Sequence, residues 1–270
     1  MNRHTVIRST VIALAALWVV SGSTAHASVV YNLTGWDSTG TAGADGGFPT
    51  DWAGGTAPTY TGSLNAMWYA NVGVGGAETV SSTDARGKGA DPTFALAVGP
   101  RAWNDNDPGF TGTQGQGHGS DFGLIHLDGQ SNLSITVAAD VGLGSTLKPG
   151  FSLFQGWDVG STSDRLLAYQ NNADNPLGTS GLGFLDSASS ATPGGSAVQS
   201  FTNLPAGTYT LFVGGNFTGF SGTPGKYTVD VTASPVPLPA AAWLFGSGLL
   251  GLGSLARGRM RKRNAIAHRQ

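Results

Sequence analysis

Two stretches of strictly alternating apolar and polar residues constrain the fold of this chain most strongly. In residues 133–137, Leu, Ile and Val alternate with Ser and Thr, and in residues 227–231 Tyr and Val alternate with Thr and Asp. Successive side chains of a β-strand point to opposite faces of its sheet, so each stretch is predicted to be a strand with one buried face.

Shorter apolar runs predict further strands, and Gly- and Pro-rich turns separate them. The predicted strands are Val29–Trp36, Leu64–Val74, Phe94–Val98, Phe122–Leu127, Phe151–Trp157, Leu166–Tyr169, Ala197–Phe201 and Tyr209–Val213. The predicted turns are Lys148–Gly150, Pro193–Gly195, Leu204–Gly207 and Pro224–Gly225. This spacing is typical of an all-β protein, and we expect an antiparallel β-sandwich or jelly roll.

The composition agrees with a β-protein rich in turns. Gly accounts for 43 of the 270 residues, yet 40% of the chain is hydrophobic, which a wholly disordered chain would not carry. The glycines have no period of three, which excludes a collagen. The sequence has no Cys, so disulfides and Cys-based metal sites are excluded and a packed core must hold the fold.

The formal net charge of -2 conceals three segments of different charge. Residues 28–234 contain all 16 acidic residues and only six basic ones, whereas residues 1–27 and 235–270 contain basic residues and no acidic ones. A strongly acidic middle segment would repel phosphate, which argues against nucleic acid as a partner.

Residues 1–27 are predicted to be a secretory signal peptide. Arg3 and Arg8 precede an apolar run, and small residues stand at Ala25 and Ala27. This pattern predicts cleavage by signal peptidase after Ala27 and export of the remaining chain.

Residues 235–270 also combine an apolar run with basic residues, in the opposite order. A proline-containing motif at Val236–Pro239 precedes 17 uncharged residues, 240–256, and then a basic cluster. As a helix this apolar stretch would be about 26 Å long, close to the thickness of a bilayer core. The basic end is expected to stay cytoplasmic, which leaves the acidic segment outside the inner membrane.

The tail closely resembles the PEP-CTERM sorting signal. The resemblance lies in Val236, Pro237, Leu238 and Pro239, in the apolar stretch, and in the basic residues after it, and Leu238 stands where the family's name has Glu. It implies that an exosortase processes the chain, in a Gram-negative bacterium that makes exopolysaccharide. The protein would be an inner-membrane-anchored intermediate first and a cell-surface or extracellular protein afterwards. The extension after Arg263 is not part of that pattern.

Residues 110–233 resemble the bacterial pre-peptidase C-terminal type of β-sandwich. The order Asp121-Phe122, then Pro205-Ala206-Gly207-Thr208-Tyr209, then Gly225-Lys226-Tyr227-Thr228-Val229 carries this resemblance. It implies an accessory binding or stabilising module. Residues 28–110 fall outside it and either add strands to the same sandwich or form a small separate domain.

Two histidines in the middle segment are candidate metal ligands. His118 lies in a predicted loop and His126 in a predicted strand, and Asp121 or Asp128 could complete a site for a metal such as copper. The alternative is a surface loop histidine and a hydrogen-bonded strand histidine. No nucleophile or phosphate-binding motif accompanies them.

An oxygen-rich loop at Asn104–Gly109 is the calcium candidate. Asp105 and Asp107 alternate with amide side chains, which suits a hard cation, and 171–175 is a second such loop. Asn and Asp also form ordinary turns, which is the alternative.

Tryptophans suggest a further alternative, a carbohydrate-binding face. Trp36, Trp52, Trp68, Trp103 and Trp157 could stack on sugar rings, or they could pack in the core. From the sequence we therefore expect a non-enzymatic surface or matrix protein associated with exopolysaccharide, with no obligatory cofactor. A carbohydrate-, calcium- or copper-binding module is the alternative, and a glycan hydrolase is the third hypothesis.

Overall fold

The alternating stretches form strands in the computed structural model, which describes residues 28–32, 52–56, 58–60, 66–90, 96–103, 120–157, 181–217, 224–237, 244–245 and 247–248. The strands within these ranges are β1 (Ser28–Asn32), β2 (Trp52–Ala53), β3 (Ala66–Val72), β4 (Ala77–Val80), β5 (Ala97–Val98), β6 (Asp121–Leu127), β7 (Ser131–Ala139), β8 (Pro149–Gln155), β9 (Gly183–Ser189), β10 (Ser196–Leu204), β11 (Gly207–Gly215) and β12 (Gly225–Pro235). A short helix, α1 (Ser82–Gly87), follows β4, and a 3-10 turn occupies Val141–Leu143.

The strands form two sheets with the main core between them. The larger sheet has the order β2-β1-β3-β6-β11-β8-β9, and the smaller has the order β10-β7-β12-β4, with β5 also paired to β12. Buried side chains of both sheets form one apolar cluster. The all-β prediction is confirmed, and the strands from residues 28–80 lie in the same two sheets as the later strands.

One strand pair departs from the predicted antiparallel arrangement. β3 and β6, neighbours at the centre of the larger sheet, run parallel, with Tyr69 opposite Leu124 and Asn71 opposite His126. Between them the chain passes through β4 in the smaller sheet, so it can return in the same direction. Every other pair in the described ranges is antiparallel.

Several predicted boundaries were wrong. β2, β4 and β9 were not predicted from the sequence, and β8 begins at Pro149, within the predicted turn Lys148–Gly150. Of the described residues in the predicted strand Phe94–Val98, Leu96 has φ 61 and Ala97–Val98 form a strand. The predicted strand Leu166–Tyr169 lies outside the described residues.

A buried tryptophan and a glycine fit together at the centre of the larger sheet. Trp68 on β3 is fully buried and lies opposite Gly123 on β6. A Cβ atom at Gly123 would lie 2.0 Å from the Trp68 ring. The indole therefore occupies the space that any side chain at position 123 would need.

A second apolar cluster covers the outer face of the larger sheet. It contains Phe122, Phe154 and Phe212, with Trp103 and Phe184 packed against it. Residues 99–103 are held there by backbone hydrogen bonds, with the Trp103 N–H donating to the Gly215 carbonyl at 3.0 Å. The part of the outer face that lies under this cluster is therefore buried as well.

Only a small part of the predicted tail helix, 240–256, is described. Residues 244–245 and 247–248 are helical and exposed, and the remainder lies outside the described residues. No helix in the described part of the chain is long and apolar enough to cross a membrane.

The contact between Trp68 and Gly123 generates a stability prediction. Gly123→Ala should lower the free energy of unfolding by about 3 kcal/mol, because a rigid buried indole cannot move away from the new methyl group. Gly87→Ala is the matched control, since a Cβ there meets no atom within 4 Å, and it should change stability by less than about 1 kcal/mol. Urea denaturation measures both values, and equal effects of the two variants would contradict the packing described here.

Candidate functional site

A buried chain of polar side chains connects the two sheets. The Trp68 Nε1–H on β3 donates to the Tyr227 hydroxyl oxygen on β12 at 3.2 Å. Tyr227 in turn hydrogen-bonds the carboxyl group of Asp121 on β6. All three side chains are almost completely buried, with Asp121 only 4% exposed.

The Asp121 carboxyl group is only partly satisfied. The backbone N–H of Leu96 also donates to it, from a left-handed conformation that is uncommon for leucine. Its Oδ2 atom is buried and has no hydrogen-bond partner among the described residues. Burial raises the pKa of Asp121 to about 7, although the hydrogen bonds from Tyr227 and Leu96 and the charge of Lys226 act in the opposite direction.

His126 lies at the other end of β6, on the outer face of the larger sheet. Its Nδ1 is 3.0 Å from the Thr208 hydroxyl oxygen on β11. Its Nε2 is 3.8 Å from Asp128 Oδ1, and the two side chains are 35% and 46% exposed. The Thr208 contact fixes the orientation of the imidazole ring, so Nε2 faces the Asp128 carboxylate and solvent. A hydrogen-bond partner on the other ring nitrogen orients metal-binding histidines in the same way.

Two residues of β3 line the same patch. The Tyr69 ring is stacked on His126 with 6.3 Å between ring centroids. Burial, and then the charge of Asp128, raise the pKa of Tyr69. Asn71 lies opposite His126, and its Oδ1 atom is buried without a hydrogen-bond partner in the described part of the chain.

The patch thus offers an imidazole nitrogen and a carboxylate 3.8 Å apart, and an amide oxygen on the residue opposite the histidine. This donor set fits a borderline cation such as copper(II) or zinc better than calcium, which prefers oxygen ligands alone. Within the described ranges, no three His, Cys, Asp or Glu side chains come close enough to hold a metal ion. The donors seen here would therefore need a further ligand.

Of the two carboxylates that the sequence offered as partners of His126, Asp121 and Asp128, the structure separates Asp121 from the histidine. The two residues are five positions apart on one strand, so their side chains lie on opposite faces of the larger sheet. Asp121 points into the core, and only Asp128 approaches His126. His118, Asp105 and Asp107 lie outside the described residues, as do both oxygen-rich loops.

The processing motifs lie at the limits of the described sandwich. Val236 is half-buried and Pro237 is exposed directly after β12, whereas Leu238 and Pro239 lie outside the described residues. Ala25 and Ala27 also lie outside them, and β1 begins at the next residue, Ser28.

The tryptophans do not form one exposed face. Trp68 belongs to the core, and the Trp103 Nε1–H donates to the Ser152 hydroxyl at 3.2 Å. Trp157 is half-buried and makes an edge-on ring contact with Tyr60 at 5.6 Å between centroids. Trp52 is also half-buried, and Trp36 lies outside the described residues.

The sequence analysis missed a second polar cluster, around Tyr31. The Tyr31 hydroxyl donates to Asp84 Oδ2 at 2.8 Å, and Lys88 forms an ion pair with the same oxygen at 2.9 Å. Burial raises the pKa of Tyr31. The signal in the sequence is Ser81 three residues before Asp84, a helix N-cap, whose hydroxyl accepts from the Asp84 N–H at 3.1 Å. The cluster anchors α1 to β1.

Comparisons with known proteins give distant similarities only. No protein-family model matches the sequence, and no curated protein matches it. Among solved structures, CorA, a surface-associated copper-binding protein important in copper acquisition by Methylomicrobium album BG8, is 17% identical, with a TM-score of 0.33 over 63% of this chain and 100% of CorA. The secreted protein MopE of Methylococcus capsulatus, in which an oxidised tryptophan facilitates copper binding, is 12% identical, with a TM-score of 0.31 over 60% of this chain and 84% of MopE.

A third similarity is to the pre-peptidase C-terminal domain of a Bacillus anthracis collagenase. It is 13% identical, with a TM-score of 0.27 over 62% of this chain and 94% of that domain. At TM-scores of this size, none of the three similarities assigns a family or a ligand to this chain.

The buried carboxyl group generates a pH prediction. Because burial raises the pKa of Asp121 in the folded state from 3.8 to about 7, its neutral form contributes stability that is complete below about pH 4. That contribution is lost as the pH rises through about 7. Asp121→Asn cannot ionise, so the wild type should lose on the order of 3 kcal/mol more than the variant between pH 4 and pH 8.

Urea denaturation at several pH values measures the difference between the two proteins. Burial also raises the pKa of Glu78, but that group is present in both proteins and cancels in the subtraction. Asp230→Asn, which removes an exposed carboxylate, is the control and should keep the wild-type pH profile. Parallel profiles for the wild type and Asp121→Asn would contradict the assignment.

Proposed function

We propose that the protein is an exported, non-enzymatic surface or matrix protein whose β-sandwich is delivered by exosortase sorting. One observation carries the proposal: the folded sandwich fits between the two predicted processing positions. β1 begins at Ser28, directly after the predicted signal-peptide cleavage, and β12 ends at Pro235, directly before Val236.

This placement suits processing because neither step would remove a strand. β12 pairs with the whole length of β7, from Tyr227 opposite Ala139 to Pro235 opposite Ser131. Cleavage at or after the exposed Pro237 would leave that pairing intact. The tail would therefore act as a removable sorting signal whose loss leaves the described strands paired.

The charge of the exported segment supports a place among polysaccharides outside the cell. Sixteen acidic residues against six basic ones in 28–234 keep the domain negatively charged, which favours solubility and opposes self-precipitation. Signal peptidase, exosortase and the inner membrane are its expected transient partners, and exopolysaccharide is its expected surroundings.

The sorting proposal predicts a processing defect for variants of the proline motif. The double variant Pro237→Ala, Pro239→Ala should accumulate as a longer, membrane-associated precursor, because the motif that exosortase would read is changed. Deletion of 236–270 should instead release the sandwich from the membrane into the periplasm or medium. Cell fractionation with immunoblotting measures both outcomes.

Pro235→Ala is the matched control, since Pro235 is adjacent to the motif but belongs to β12. It should be processed and located like the wild type. If the double variant and the wild type had the same mass and location, exosortase sorting would be rejected.

A second candidate function, copper binding, rests on the geometry around His126. The outward-facing Nε2 of His126 and the Asp128 carboxylate are 3.8 Å apart, and the unsatisfied Oδ1 of Asn71 belongs to the residue opposite His126. An ion bound there would be held by the imidazole and oriented by the oxygens. For the further ligand that the ion requires, the sequence offers His118, eight positions before His126 and outside the described residues.

Copper binding predicts a graded response to substitution. His126→Ala should weaken copper(II) binding by about tenfold or more, and Asp128→Asn by less, because the imidazole is the stronger ligand. Asp230→Asn removes a carboxylate from the other sheet and should have no effect. Isothermal titration and electron paramagnetic resonance measure the changes, and a His126→Ala variant that bound copper like the wild type would exclude this site.

A further inference from the structure

We propose that β10 is an interface between two copies of this chain, formed when it pairs edge to edge with β10 of the second copy. Among the strands of the described ranges, β10 is the outermost of the smaller sheet and pairs with β7 on one side only. A strand in this position presents a row of backbone N–H and C=O groups that can pair with another strand.

The register shows which backbone groups of β10 point outward. The Ala139 N–H on β7 donates to the Gly195 carbonyl at 3.0 Å, and Ala197 lies opposite Val137. Residues of an antiparallel pair alternate between bonding toward the partner strand and away from it. Ser196, Val198 and Ser200 therefore direct their backbone groups away from β7, and all three side chains are exposed.

The other sheet edges are less suited to pairing. β2 has two residues, and β4 has four, including Glu78. β9 includes Asp186 and has an irregular register against β8. In contrast, β10 has nine residues without a charge or a proline. Proteins normally protect an exposed edge with a short strand, a charge, a proline or an irregular register. β10 has none of these along Ser196–Phe201.

The outward-facing residues of β10 are complementary to themselves, which is why a second copy is the occupant. Val198 stands between Ser196 and Ser200, so the order of residue types is the same in both directions along the strand. A two-fold axis at Val198 would place Val198 opposite Val198 of the second copy and Ser196 opposite Ser200. Each pair would exchange both backbone hydrogen bonds, and the valine side chain, now 54% exposed, would be covered.

The length of the interface is also limited by the strand itself. The register shifts between Phe201 and Leu204, where Asn203 has φ 60, so the regular edge ends there. A two-fold pairing uses this edge on both copies, so the assembly closes as a dimer and does not grow into a fibre.

A single introduced cysteine tests the pairing in the full chain, because the sequence contains no cysteine. Val198→Cys should form a disulfide-linked dimer on mild oxidation, since residues directly opposite in such a pair have Cα atoms about 5.5 Å apart. Thr202→Cys is the matched control on the same exposed strand. Two copies of residue 202 would lie roughly 27 Å apart, so this variant should stay monomeric.

A charge at the same position tests whether the dimer depends on the edge. Val198→Lys should raise the dissociation constant of the dimer by about tenfold or more in sedimentation equilibrium, because like charges would lie directly opposite each other. Its urea unfolding midpoint, measured on the monomer, should stay unchanged, and Thr202→Lys should dimerise like the wild type.

Three results would overturn the proposal. They are equal cross-linking of the two cysteine variants, wild-type dimerisation of Val198→Lys, and cross-linking of Val198→Cys to a different protein only. The last result would assign the edge to another partner.

Discussion

The hydrogen-bonded chain from Trp68 through Tyr227 to Asp121 is the interaction on which the sandwich depends. It joins β3 and β6 of the larger sheet to β12 of the smaller sheet inside the core. An apolar core can accept many packings, but a buried donor must meet its acceptor, and a buried group without a partner costs free energy. These hydrogen bonds therefore fix the position of one sheet on the other. Gly123 is part of the same arrangement, because the indole that donates to Tyr227 fills the space above it.

The elements with a clear two-residue period could be predicted from the sequence. β7 and β12 alternate strictly, and their buried residues are the ones that the pattern indicated. β4 was missed because its one large apolar residue is Val80, and β9 because its two, Phe184 and Leu185, are adjacent and do not alternate with polar residues. Pairing with a neighbouring strand holds both strands in place. The parallel pairing of β3 with β6 depends on the path of the chain through the other sheet, which no local pattern contains.

The candidate sites show still more clearly what a local sequence pattern cannot predict. Asp121 is one of two carboxylates that the sequence offers as metal ligands, but it begins the central strand of the larger sheet and points into the core. The tertiary partners Tyr227 and Leu96, distant in sequence, make that burial tolerable. His126 was placed correctly on a strand, but its orienting contact with Thr208 is made across a strand pair that only the fold creates.

β6 holds the buried carboxyl group and the candidate metal ligand at separate places on one strand. Asp121 and His126 are five residues apart, roughly 17 Å along an extended strand, and they face opposite sides of the sheet. Ionisation of Asp121 therefore changes the stability of the core without changing the charge beside His126. The edge of β10 lies in the other sheet, beyond β7, and shares no contact residue with either group. Because the three features share no side chain, their variants should have additive effects on stability, metal binding and self-association.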